Sequence, residues 1–123
     1  VAFVGTNKKK ARKIVIPKTV KVKGKTYKVT SVASKALSGN RKLRKVIIGK
    51  NVRKVSKKAF FQCPNLKTIV MKTVKLNKIG KKAFAGIHKK AIFRLSGTKN
   101  QNRKMLKKLK AKTGFKKKTM QVR

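Results

Sequence analysis

Apolar positions return along the chain in a fixed order. Three blocks carry the pattern: VTSVASKALSGNRKLRKVIIG over Val29–Gly49, VRKVSKKAFFQCPNLKTIVMK over Val52–Lys72, and LNKIGKKAFAGIHKKAIFRLS over Leu76–Ser96. Val32, Val55 and Ile79 open the blocks. Leu37, Phe60 and Phe84 follow, each behind an alanine. Asn40, Cys63 and Ile87 share the next row, and Leu43 and Leu66 the one after. Each block closes on a short apolar run: Val46 to Ile48, Ile69 to Met71, and Ala91 to Leu95. Alternation inside these runs has period two, so Val46 and Ile48 share a face, as do Ile69 and Met71, and Phe93 takes the same place in the third. Val55 lies 23 residues after Val32, and Ile79 lies 24 after Val55, as if one residue were inserted near Thr73 to Lys75. A single block cannot bury its apolar face alone; stacking neighbours makes the core.

The ends vary the same theme. Ile14 to Pro17 predicts a strand, and Val20 to Val29 predicts a β-hairpin around Lys23-Gly24-Lys25. Val1 to Val4 reads as a strand of a preceding unit, and Asn7 to Lys13 as a polar loop. At the other end, Lys99 to Lys112 has helix-forming composition, with Met105, Leu106 and Leu109 on one side. Thr113-Gly114 is a helix stop, and Phe115, Met120 and Val122 predict a short last strand. An interval of 23 to 24 residues falls in the leucine-rich-repeat range. The expected fold is therefore a leucine-rich-repeat β-solenoid of three to four rungs with one short parallel strand per repeat. Within one domain, 1–28 form an N-terminal strand and hairpin unit, 29–96 the repeats and 97–123 a helical cap.

Charge changes what such a scaffold can do. The 123 residues include 40 Lys or Arg, no Asp or Glu and one His, a formal charge of +40. An ordinary composition would supply about fifteen acidic residues. Their complete absence implies strong selection or deliberate removal. It excludes a paired-carboxylate glycosidase, a Ser-His-Asp triad, and carboxylate ligation of magnesium or calcium. Charge alone would suggest disorder, but a hydrophobic fraction of 39% in register with the repeat argues for a core. No apolar run reaches the roughly 20 residues of a membrane span, and Val1 to Val4 is too short for a secretory h-region. Starting without Met, the sequence is expected to be a mature product or a fragment. The single cysteine, Cys63, has no internal disulfide partner and does not report on compartment.

The run GKNVRKVSKKAFFQCPNLKTIVM resembles the BspA-type leucine-rich repeats of bacterial surface proteins, whose unit is a strand, then V-x-x-I, then A-F-x-x-C-x-x-L. Val52, Val55, Ala59, Phe60, Cys63 and Leu66 match that unit. The third block keeps Leu76, Ile79, Ala83 and Phe84 but has Ile87 in place of Cys. VKVKGKTYKVTSV resembles the extended first repeat of such proteins. The resemblance covers about Ile14 to Leu95. It implies a cell-surface or secreted location, a role in adhesion or interaction, and no enzymatic activity in the repeat region. The lack of acidic residues departs from the family.

The candidate site follows from the stacking. Alignment puts Ser34, Lys57 and Lys81 in one row, Lys35, Lys58 and Lys82 in the next, and Lys54 and Lys78 in a third. Strands in a sheet lie about 4.8 Å apart, inside the Debye length of about 8 Å at physiological salt. Uncompensated lysines at that spacing repel, and a polyanion would relieve the repulsion and release its counterions. The expected function is non-enzymatic extracellular binding or adhesion through anionic polymers: teichoic acids, sulfated or sialylated glycans, or extracellular DNA. The rival reading is a protein-interaction repeat whose charge serves only solubility, or an edited charge variant. Acidic protein surfaces are possible partners of either.

Other chemistry is thin. Nucleic-acid binding is expected to be non-specific, because there is no Trp, one Tyr, and only seven arginines among the forty cations. Cys63 and His88 fall within one or two rungs of each other, a nucleophile pairing in principle. Cys63, however, takes a core position, and nothing orients a base, so no catalytic residue is assigned. One His and one Cys are too few for a structural zinc site, and no cofactor or metal is expected. RKMLKKLKAKTGFKKK could lie on a membrane surface, but its narrow apolar face fits a capping helix better, so no membrane insertion is expected.

Overall fold

Two parallel sheets run along the stack, and each central repeat gives one strand to each. The computed structural model describes residues 1–3, 11–110, 113–116 and 119–123. The long sheet joins β2 (Lys13–Ile16), β6 (Lys45–Ile48), β8 (Thr68–Met71), β10 (Ile92–Leu95) and β11 (Gln121–Val122). The short sheet joins β1 (Ala2–Phe3), β5 (Ser31–Val32), β7 (Lys54–Val55) and β9 (Lys78–Ile79). Strands β3 (Thr19–Val22) and β4 (Lys25–Lys28) form a separate antiparallel hairpin, and α1 spans Lys99–Lys110. The fold is thus a leucine-rich-repeat arrangement of parallel strands with one short helix among the described residues.

Two expectations change here. Each repeat contributes two strands, not one, because the V-x-x-I segments also stack in register, Val32 on Val55 on Ile79. Two residues are too few to show period-two alternation in a sequence. The long sheet has five rungs instead of three or four, because β2 and β11 of the end units join it directly. The polar loop ends sooner than expected: Lys13 pairs with Lys45, and the Arg12 carbonyl accepts from the amides of Arg44 and Lys45. Residues 7–10 of that loop, Val4 of the first strand, and Ala111 and Lys112 of the helix lie outside the described residues.

The core follows the register. Ile14, Val46, Ile69, Phe93 and Val122 form one inward column of the long sheet, and Ile16, Ile48, Met71 and Leu95 the next. Val32, Leu43, Val55, Phe60, Cys63, Leu66 and Phe84 are fully buried, Leu37 and Ile87 nearly so, and Ile79 is half-buried. Aromatic rings run through the stack toward the cap. Phe60 stacks on Phe84 at 5.2 Å with 7° between planes; Phe84 meets Phe93 edge-on at 5.1 Å, and Phe93 meets Phe115 edge-on at 5.5 Å. Rings so arranged add about 0.5–1.5 kcal/mol per pair beyond their buried area.

The turns are ratcheted together by backbone hydrogen bonds. The Leu37 amide donates to the Ala59 carbonyl and the Phe60 amide to Ala83, both at 2.8 Å. In the last rung the Phe84 amide donates instead to Thr113, at 2.7 Å. The segment after the helix therefore supplies the carbonyl that a further repeat would have supplied. Helix α1 leads to that place from a capped N-terminus. Thr98 and Gln101 form a capping box, the Thr98 amide donating to Gln101 Oε1 at 2.9 Å and the Gln101 amide to Thr98 Oγ1 at 3.3 Å. The buried Thr113 hydroxyl donates to the Leu109 carbonyl. Met105 and Leu109 are buried and Leu106 is half-buried, so the apolar face of α1 is turned into the protein.

The inserted residue has its own solution. Thr73 is buried where the interval lengthens; its hydroxyl donates to the Val52 carbonyl at 2.6 Å and accepts from the Lys75 amide at 3.2 Å. Gly80 shows how tightly the rungs sit, since a Cβ there would overlap the backbone of Ser56 and Lys57. Gly80→Ala is expected to cost about 1–3 kcal/mol through that clash. Gly24→Ala, in the open hairpin turn at φ +79°, is expected to cost less, about 1 kcal/mol. Urea denaturation midpoints of the two variants check the ordering.

Candidate cationic surface

The turn after each short strand carries the lysine rows. Lys35, Lys58 and Lys82 all adopt left-handed backbone, with φ of 59°, 56° and 58°. Four residues on, Gly39, Gln62 and Gly86 do so again, at 76°, 55° and 79°. These paired left-handed residues turn the chain from the short sheet toward the long one. Glycine or asparagine is the usual occupant of such backbone, so lysine at three successive rungs is sterically disfavoured. The turns are locked to one another: the Lys35 amide donates to the Lys57 carbonyl at 3.3 Å, the Lys58 amide to Lys81 at 3.2 Å, and the Ser34 hydroxyl to Lys57 at 2.9 Å.

This geometry brings four of the candidate lysines close enough to Lys58 for their charges to act on it. Lys58 is half-buried, and its Nζ lies 5.1 Å above the centre of the Phe61 ring, within cation–π range. Partial burial, then the charges of Lys57, Lys35, Lys82 and Lys81, push its pKa below the ordinary lysine value. Those four neighbours are exposed. Lys54 and Lys78 are exposed register partners on β7 and β9, just upstream of the same turns. Phe61 escaped the sequence reading. It falls outside the core rows, and its only signal was a second aromatic beside Phe60 that the repeat did not need.

Cys63 and His88 make no joint site among the described contacts. The Cys63 thiol is buried and donates to the Leu37 carbonyl at 3.0 Å. Burial pushes its pKa up to about 11, against a lowering by backbone hydrogen bonding at Asn40 and Gly39. His88 Nδ1 accepts from the Lys90 amide at 3.0 Å, and the His88 amide donates to the Leu66 carbonyl. No described helix is long and apolar enough to cross a membrane.

A repeat of this geometry, with the A-F-x-x-C-x-x-L landmarks buried in register, defines a class. The family model for BspA type leucine rich repeat regions matches residues 6–113 in six copies, and the chain belongs to that family. Among solved structures it is similar to a leucine-rich cell surface protein of Faecalibacterium prausnitzii, at 22% identity and a TM-score of 0.56. The match covers 69% of this chain and 26% of that one, so the chain spans about a quarter of that protein's length. No curated protein matches the sequence.

Two outcomes follow from the site. Lys58→Asn removes a crowded cation and suits the left-handed backbone, so it should raise the thermal midpoint, more at low salt than at high. A lowered midpoint at low salt would contradict the crowding. Cys63 should resist aromatic disulfide reagents at pH 8 in the native state and react on unfolding. Because its folded pKa is raised, the stability it contributes is full below about pH 9 and is lost as pH rises through about 11. The Cys63→Ala variant should lack that component of the alkaline decline, which urea titrations across the pH range will resolve.

Proposed function

We propose that the chain is a non-enzymatic binding or adhesion module of a bacterial surface or secreted protein, and that it holds anionic polymers through its lysine rows. The observation behind this reading is the crowding of Lys35, Lys57, Lys58, Lys81 and Lys82 with no acidic side chain anywhere in the sequence to neutralise them. Teichoic acids, sulfated or sialylated glycans, extracellular DNA and acidic protein surfaces all offer the complementary charge. The mechanism needs no cofactor or metal. A repeat solenoid holds the ammonium groups at fixed spacing, each anion contact is individually weak, and counterion release together with multivalency supplies the affinity. DNA would be held mainly by its phosphates, since Phe60 and Phe84 are buried and the Phe61 ring lies against Lys58.

The second reading, a protein-interaction repeat whose charge serves only solubility, is favoured by the family and by the surface location of the F. prausnitzii protein. Salt separates the two. For duplex DNA or heparin titrated from about 0.05 to 0.5 M salt, lysine-row binding gives a linear log–log fall in affinity with a slope of about −0.9 per phosphate contacted. Replacing Lys57, Lys58, Lys81 and Lys82 by Gln should then flatten the DNA slope by about three to four. Weak binding at the lowest salt, or a slope that the four replacements leave unchanged, rules out the lysine rows and favours the interaction repeat.

A further inference from the structure

The outward face of the long sheet carries an apolar column that the repeat core does not explain. Val15, Ile47 and Val70 are register partners on β2, β6 and β8 and point away from the buried columns. Ile47 and Val70 are half-buried, and Val15 is 52% exposed. Neighbouring outward positions are polar: Lys13 and Lys45 on one side, Arg94 at the next rung. Single exposed aliphatics are ordinary, but a contiguous column with a charged rim marks a contact surface.

A groove of about 540 Å³ opens where this column meets the C-terminal ends of β2 and β6. Its apolar wall is Val15, Ile47 and Pro17, and its rim carries Lys18, Lys50 and Lys72. The volume lies in the range of ligand sites. These lysines follow the long strands, whereas the rows around Lys58 follow the short ones. The groove is therefore a separate feature, and its argument does not rest on the polyanion reading. Charge complementarity fixes the class of occupant. Three cations surround an aliphatic floor, and no side chain of this protein can supply a carboxylate to them. Among the described residues no aromatic ring lines the groove to hold the face of a sugar or a base.

We propose that this groove binds an acidic peptide segment of another protein, seating one aliphatic side chain on Val15 and Ile47 while flanking carboxylates pair with Lys18, Lys50 and Lys72. Unlike a purely electrostatic surface, such a site discriminates between segments of equal charge. The apolar contact gives a preference that survives screening, and the lysines set the requirement for acid on both sides.

The test uses two fluorescent peptides of equal charge, Glu-Glu-Leu-Glu-Glu and Glu-Glu-Ser-Glu-Glu, titrated with the full chain by fluorescence anisotropy at about 0.3 M salt, where exposed charges are largely screened. The leucine peptide should bind about five- to tenfold tighter than the serine peptide. Val15→Ser should abolish that preference, and Ile47→Thr, checked for folding by thermal melting, should reduce it. Joint Lys18→Gln and Lys72→Gln should weaken both peptides. Joint Lys57→Gln and Lys81→Gln should leave the preference intact even if they abolish heparin binding. Equal binding of the two peptides, or a leucine preference that persists in Val15→Ser, overturns the proposal. So does displacement of the leucine peptide by lauryl carboxylate at lower concentration than by unlabelled peptide, which would assign the groove to a lipid-like amphiphile.

Discussion

Apolar stacking from one repeat to the next is the interaction on which this structure depends, because forty positive charges have no side-chain carboxylate to oppose them. In an ordinary domain, ion pairs and mixed surface charge offset part of the self-repulsion. Here that role falls to burial and to backbone hydrogen bonds. The Phe60, Phe84, Phe93 and Phe115 rings make a continuous column that leaves the repeats and enters the cap. A fully buried phenylalanine is worth about 1.5–3 kcal/mol of transfer free energy. The column thus concentrates a large part of the favourable energy along one line. Phe60 and Phe84 are also fixed in height by amide–carbonyl bonds to the next turn, so loss of register in one rung would reach its neighbours. The cap is part of the same system: the carbonyl of Thr113 stands in the line begun by Ala59 and Ala83.

How much of this was legible in the sequence depends on how many residues carry each signal. The interval of 23 to 24 residues was visible because half a dozen landmarks repeat together, and the inward columns Val46–Ile69–Phe93 and Ile48–Met71–Leu95 follow from four-residue strands that alternate. The short strands were not visible, since two residues hold one inward and one outward position and no period. The helix cap was read from its composition, and its role in closing the line of carbonyls was not, because that contact pairs Phe84 with a residue 29 positions away. The lysine rows were legible as rows. Their left-handed backbone was not, because lysine is an unusual occupant of φ near +58° and gives no sign of it. The groove was hidden for a different reason. Val15 and Ile47 share one row, and Lys18 and Lys50 each follow three residues later, whereas Lys72 follows its row-mate Val70 by two; in the sequence such outward aliphatics and lysines look like any solvated strand face.

The left-handed lysines join two constraints that usually stay apart. A repeat turn needs positive φ at that row, and side chains there project out of the turn. Placing lysine at the row in three successive rungs sets the ammonium groups side by side while charging the backbone an extra conformational cost. Stability alone would favour asparagine or glycine. The partial burial of Lys58 against Phe61 recovers some of that cost through the ring and adds to it through desolvation. Burial in the aromatic and aliphatic columns of the core must offset the cost of such a row.

Long-range attraction and selectivity come from different parts of such a surface. A field from so many cations would draw in any polyanion and raise encounter rates, but it would rank anions mainly by charge and spacing. Discrimination between partners of similar charge needs a contact whose strength depends on shape and polarity. The lysine rows lack one: apart from Phe61, the candidate lysines present only ammonium groups. The Val15–Ile47 column supplies such a contact, at a place where cations already stand on the rim. On this division the rows would gather acidic partners and the groove would choose among them. The two would also respond differently to salt, since screening weakens the field across the whole surface but leaves apolar contact largely intact. A repeat protein built this way would lose its reach before its selectivity as ionic strength rises.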